Sequence, residues 1–83
     1  MGRRMHPRTP ERAAWLRAAR AELYMLQEDL GAQAGGVSGK LWHLYESGKV
    51  GVKDELLDQV AEVLRKRRER DGVPGVVPLA YPH

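Results

Sequence analysis

Two pairs of neighbouring carboxylates, Glu28-Asp29 and Asp54-Glu55, are the residues best suited to acid–base chemistry. A catalytic acid and its base must converge on one substrate, whereas consecutive residues of a helix point away from each other. The glycines around Gly39-Lys40 do not match the G-x-x-x-x-G-K-[ST] phosphate-binding loop, and no strand is predicted before them. We therefore predict no catalytic residues and a protein that is not an enzyme.

Metal and thiol chemistry are also disfavoured. His6, His43 and His83 are too scattered to form a metal site, and the absence of cysteine excludes zinc–thiolate sites and disulfides. We expect no metal and no cofactor. The 83 residues suffice for one small domain with a thin hydrophobic core. Because the sequence has neither a long apolar stretch nor an apolar signal segment, we expect a soluble protein with no membrane partner.

The charge of the chain is unevenly distributed. The net charge of +3 comprises +5 over residues 1–20, −5 over residues 21–64 and +4 over residues 65–70, with Asp71 completing the total. Basic segments beside a compact domain are typical of phosphate binding, which favours nucleic acid as a partner. The alternative is that these cations only solvate helix ends.

The first helix has a clear start signal at Thr9-Pro10-Glu11, which combines an N-cap, a first-turn proline and an acidic residue. Apolar residues then recur at helical spacing, which predicts a helix over residues 10–22 or slightly beyond. A turn is expected near residues 24–26, although no glycine or proline marks it. One continuous helix over residues 10–34 is an alternative.

Three further helices are predicted over residues 27–34, 39–46 and 54–70. Gly35-Gly36 ends the second helix, and Ser38 is a suitable N-cap for the third. The fourth carries an apolar stripe at Leu57, Val60, Ala61 and Leu64. We divide the chain into a basic flexible arm (1–8), a helical domain (9–71) and a proline-rich tail (72–83). The predicted class is all-α, a compact four- to five-helix bundle with an extended C-terminal tail.

Several motifs follow one another in a fixed order: Leu16-Arg17-x-x-Arg20, Gln27-Glu28-x-Leu30, Ala34-Gly35, Val37-Ser38, Tyr45-Glu46-x-Gly48-Lys49 and Leu57-x-x-Val60-Ala61-x-x-Leu64. Over residues 16–64 this order resembles the phage-repressor and Cro-like helix-turn-helix family, the xenobiotic-response-element-type group. The resemblance implies a double-stranded DNA-binding transcriptional regulator that acts as a repressor. Its third helix, which starts near Ser38, would read the major groove.

The chain departs from the family pattern at three positions. Gly36 adds a residue to the turn, Leu26 stands where the family has an N-capping Ser or Thr, and Gly31 replaces the usual alanine. Two registers of the third helix follow. If the turn absorbs the extra glycine, Val37, Trp42 and Tyr45 face the core, which is the register we favour. Otherwise Leu41 and Leu44 do.

The resemblance also implies roles for individual residues. Gln27 would bind a phosphate, and the arm residues Arg3 and Arg4 would reach a minor groove. The other expected DNA contacts are Ser38, Gly39, Lys40 and His43 on the recognition face and Lys49 and Lys53 beyond it. Each has a structural alternative: Ser38 is also an N-cap, and Gln27 and His43 are also ordinary exposed helical residues. Arg20 or Arg17 is expected to pair with Glu46 as part of the scaffold.

A single reading unit is too short to be selective, so we expect a homodimer. The candidate interface residues, for a second copy or another protein, are Leu56 and Val63 on the fourth helix and Val76, Val77, Leu79 and Tyr81 in the tail. The tail could instead dock over its own core. The acidic middle of the chain favours an alternative function, a protein-interaction module such as an antitoxin or a phage protein that binds a host protein. Either role places the protein in the cytoplasm of a prokaryotic or phage-infected cell.

Overall fold

The computed structural model describes residues 10–79, which form four helices and no strand. These helices are α1 (Pro10–Leu23), α2 (Gln27–Gln33), α3 (Gly39–Glu46) and α4 (Asp54–Asp71). The all-helical class is confirmed for this part of the chain, and the helix bounds lie within one residue of the predicted ones. None of these helices is long and apolar enough to span a membrane.

One hydrophobic core lies between the four helices. α1 and α4 run in the same direction. Two ion pairs show this: Arg12 with Asp54 joins the starts of the two helices, and Glu22 with Arg68 joins the regions near their ends. The short helices α2 and α3 complete the enclosure. The largest fully buried side chains are Leu16, Leu23, Leu30, Trp42, Leu57, Val60 and Leu64. The apolar stripe predicted on α4 supplies three of them.

The break between α1 and α2 falls at Tyr24, whose φ of 55° is left-handed. The amide of Met25 donates to the carbonyl of Arg20 (3.3 Å), and the amide of Tyr24 donates to that of Ala21 (3.2 Å). This is the hydrogen-bond pattern of a helix that ends in a left-handed residue, a position where glycine is usual. The chain therefore turns where the sequence carries a tyrosine, and the alternative of one continuous helix is wrong.

The turn between α2 and α3 absorbs the extra glycine by a close backbone approach. Gly35 and Gly36 both have positive φ values, 104° and 71°. The amide of Val37 then donates to the carbonyl of Gly31 at 2.8 Å. A Cβ at Gly31 would lie 2.2 Å from the Val37 carbonyl oxygen, so an alanine there is sterically incompatible with this turn.

The register of α3 is the one favoured from the sequence. Trp42 and Tyr45 are buried, and Val37 packs against the core from the turn. Leu41 and Leu44 are only half-buried, on the flanks of the helix. Ser38 caps the helix, since its hydroxyl accepts a hydrogen bond from the amide of Leu41 at 3.2 Å.

The tail folds back onto its own domain over the residues that the structure describes. Val77 is only 5% exposed and joins the core. Trp15 Nε1 donates to the Pro78 carbonyl at 2.8 Å, and the Val77 amide donates to Glu22 Oε1 at 3.1 Å. Of the predicted interface residues, Leu56 on α4 and Val77 in the tail are buried in this chain's own core, so neither is available to a partner in this structure.

Candidate functional site

Glu46, at the end of α3, is a buried carboxylate that joins three helices. Its side chain is only 5% exposed and accepts from Arg20 Nε (2.7 Å) and Nη2 (3.0 Å) on α1. It also accepts from Gln27 Nε2 on α2 (3.1 Å) and from Trp42 Nε1 within α3 (2.6 Å). Arg17 donates to the main-chain carbonyl of the same residue. The predicted pairing of Arg20 or Arg17 with Glu46 is confirmed, and both arginines take part.

Burial alone would raise the pKa of Glu46, because it disfavours the charged carboxylate. The hydrogen bonds from Arg20, Trp42 and Gln27 outweigh that effect and hold the pKa below its usual value. Glu46 is therefore ionised near neutral pH. Its negative charge fixes the orientation of α3 against α1 and α2.

The side of α3 that faces away from the buried Trp42 and Tyr45 is open to solvent. Lys40, His43 and Ser47 are exposed and follow the spacing i, i+3, i+7, which places them along one face of the helix. Ser47 Oγ donates to the Leu44 carbonyl at 3.1 Å, and Ser38 caps the other end. Lys40 and His43 are thus held by a fixed helix while their polar groups face outward.

The remaining predicted site residues have different positions. Gln27, the first residue of α2, is half-buried, and its side-chain amide donates to Glu46. It therefore helps to hold α2 and α3 together. Gly39 is partly covered by Glu28, whose Cβ would lie 3.1 Å from a Cβ at that position. Lys49 and Lys53 are exposed beyond the end of α3. Arg3, Arg4 and Tyr81 lie outside the described residues.

The charges of this surface are mixed. Glu28 and Asp29 are exposed at the start of α2, and Glu28 borders the first turn of α3. Residues 10–79 hold eleven cations and eleven carboxylates. The other three cations of the chain, Arg3, Arg4 and Arg8, precede residue 10. The helical part of the chain is therefore electrically neutral, and the excess positive charge belongs to the N-terminal arm.

Much of the basic flanking charge is used inside the molecule. On α1, Arg12 is buried and donates to the Val52 carbonyl at 2.6 Å, while Arg17 and Arg20 bind Glu46. On α4, Arg68 pairs with Glu22 at 2.8 Å, and Arg65 pairs with Glu62 and Glu69. Fewer of the flanking arginines are therefore available to bind phosphates than the sequence alone indicated.

Sequence reasoning missed the clamp that holds the tail. Arg68 Nε and Nη2 both bind Glu22, and Nη2 also donates to the Val77 carbonyl. These partners are 46 and 9 residues apart in sequence, and no local pattern links them. Within residues 10–79, no three His, Asp or Glu side chains converge to hold a metal ion.

Comparison with protein-family models, with curated proteins and with solved structures found no match to this chain.

Proposed function

We propose that this protein is a sequence-specific double-stranded DNA-binding regulator and acts as a repressor. In this proposal α2, the turn and α3 form a helix-turn-helix unit, and α3 enters the major groove. The observation that carries the proposal is the Glu46 network. It holds α3 against α1 and α2, while Lys40 and His43 remain exposed on the adjacent, solvent-facing side of the helix.

The exposed residues of α3 have suitable chemistry for base edges. A lysine ammonium can donate to O6 and N7 of guanine, and a histidine can donate or accept at a base edge. Lys49 and Lys53 lie beyond the helix, where they would contact phosphates. Glu28 beside the start of α3 repels phosphates, which weakens binding to sequences that lack compensating base contacts.

We further propose that the protein binds as a homodimer. One unit of this kind reads only about four to five base pairs, and two copies on half-sites about 34 Å apart would supply the missing selectivity. Of the predicted interface residues that the structure describes, Val76 and Leu79 are exposed and Val63 is half-buried.

The test selects duplexes from a randomised library with the full chain and then compares variants on the selected duplex. The double variant Lys40→Ala with His43→Ala should lose about 30-fold or more in affinity for it, because each good base contact contributes about 1–3 kcal/mol of discrimination. Its affinity for random duplex should change only a few-fold and its melting temperature should stay constant, since both side chains are exposed.

Two further variants sharpen this test. Glu28→Gln should bind random duplex more tightly, because it removes a repulsive charge beside α3. Lys66→Ala, a control on α4, should leave both affinities unchanged. An unaltered ratio of selected to random affinity in the double variant would show that α3 does not read the sequence.

A further inference from the structure

We propose that the cleft between Tyr24 and the second half of α4 is a docking site for an acidic, apolar segment of another protein. The cleft has a volume of about 570 Å³. Met25 and Val63 form its apolar floor, Tyr24 forms one wall, and Lys66, Arg67 and Arg70 form its basic rim. None of these residues belongs to the proposed DNA-reading face, so this site is independent of that proposal.

Tyr24 is the first observation that points to a partner. Its side chain is 91% exposed, and its backbone is left-handed with φ 55°. This conformation is unfavourable for any residue with a Cβ, and glycine would adopt it without strain. A tyrosine that strains its backbone and buries almost none of its ring contributes little to folding. Backbone strain of this kind concentrates at functional sites.

The position of Tyr24 makes it suitable as an anchor. The ring stands between the cleft and a second depression lined by Val73 and Val76 of the tail. Val76 is 89% exposed, and Val73 is exposed as well. Tyrosine is one of the residue types enriched among those that dominate the binding energy of protein interfaces.

The charge of the rim identifies the chemistry of the partner. Residues 62–71 carry five cations and three carboxylates, and Glu22 neutralises one of these cations, Arg68, which leaves a surplus of one positive charge. The ion pairs of the rim residues are solvent-accessible, as in Arg67–Asp71 at 3.1 Å and Lys66–Glu62 at 4.0 Å, so solvent screens them and a partner can displace them. An apolar floor beneath a positive rim complements a segment that carries leucine or aromatic side chains flanked by Asp or Glu.

The same features disfavour two other occupants. A second copy related by a two-fold axis would bring the positive rim against itself, which is repulsive. A duplex would meet the cations but would leave the apolar floor and the tyrosine ring without apolar contacts. A protein segment satisfies both parts of the surface.

The test uses the full chain as bait for a random twelve-residue peptide library, followed by titration of the enriched peptides. We expect sequences that combine an aromatic or leucine residue with Asp or Glu. Tyr24→Gly should weaken their binding at least tenfold while its melting temperature is equal to or above that of the wild type. Lys66→Ala with Arg70→Ala should also weaken binding and reduce its dependence on salt. Lys40→Ala, on the far helix, is the control and should have no effect.

Other results overturn the proposal. These are failure to enrich any peptide, enriched peptides without acidic residues, and binding that Tyr24→Gly leaves intact. Self-association that Tyr24→Gly abolishes would assign the cleft to a second copy. Perturbation of the Tyr24, Val63 and Lys66 amide signals by duplex DNA, in the absence of peptide, would assign it to nucleic acid.

Discussion

At the scale of single residues, the orientation of α3 depends on Glu46. Three side chains from α1, α2 and α3 donate to its carboxylate, and burial makes each of these hydrogen bonds count. The pairing with Arg20 could be predicted, because the motif resemblance placed the two residues in one scaffold. The contribution of Gln27 could not, since a glutamine amide suits a phosphate and a carboxylate equally well.

The charge of Glu46 makes stability depend on pH. Its pKa in the folded state lies below its usual value, so its contribution is complete above the unfolded pKa of about 4.3 and is lost as the pH falls through the folded pKa. Glu46→Gln should lower the free energy of unfolding at pH 7 and flatten its decline below pH 5. Urea unfolding at several pH values between 7 and 3 measures both effects.

Some acid sensitivity should remain in that variant. The hydrogen bond from Arg68 lowers the pKa of Glu22 as well, so this second carboxylate also loses its contribution in acid. Equal slopes in the wild type and Glu46→Gln would contradict the assignment of a structural charge to Glu46.

At the scale of elements, the α2–α3 turn connects two of the glycines at which the sequence departs from the motif order that it resembles. The extra Gly36 lengthens the turn, and Gly31 provides the space into which the Val37 carbonyl moves. The sequence shows both glycines but not their connection, because that connection is a backbone contact across six residues. Most helix ends were predictable from caps and glycines, whereas the end of α1 at Tyr24 carries no such signal.

The coupling of the two glycines can be measured with a pair of alanine variants. Gly31→Ala should destabilise the fold by about 3 kcal/mol, because its Cβ would overlap the Val37 carbonyl. Gly36→Ala should cost only about 1 kcal/mol, because its site is open and only the left-handed backbone opposes a Cβ. If chemical denaturation showed Gly31→Ala to be the milder change, the described turn would be wrong.

At the scale of the whole molecule, the described part of the tail, residues 72–79, packs on the helical domain. The side chains of Glu22 and Arg68 form hydrogen bonds with the main chain of Val77, and Trp15 donates to the Pro78 carbonyl. This arrangement matches the sequence alternative in which the tail docks over its own core. A choice between that docking and exchange with a partner could not be made from the sequence, because the same apolar residues serve either surface.

Neighbouring valines provide a matched test of tail docking. Val77→Ala should reduce the free energy of unfolding by about 1–3 kcal/mol, since it removes buried methyl groups from the core. Val76→Ala should change it by less than about 0.5 kcal/mol, because Val76 is exposed. Equal effects in thermal or urea unfolding would mean that the tail does not pack on the core.

The neutrality of residues 10–79 limits the number of cations that could neutralise DNA phosphates. With eleven cations against eleven carboxylates, neutralisation of DNA phosphates would depend on the exposed lysines near α3 together with the arginines of the N-terminal arm. A contribution of about four phosphates would give a salt slope near −3.6, or about a 150-fold loss of affinity for a fourfold rise in salt.

The most direct test of DNA binding is a fluorescence anisotropy titration of random-sequence duplex with the full chain at about 50 mM and about 200 mM salt. We expect micromolar binding at the lower salt concentration that weakens about a hundredfold or more at the higher one. Absence of binding at about 50 mM salt, or binding indifferent to salt, would contradict the proposal that this protein acts on DNA.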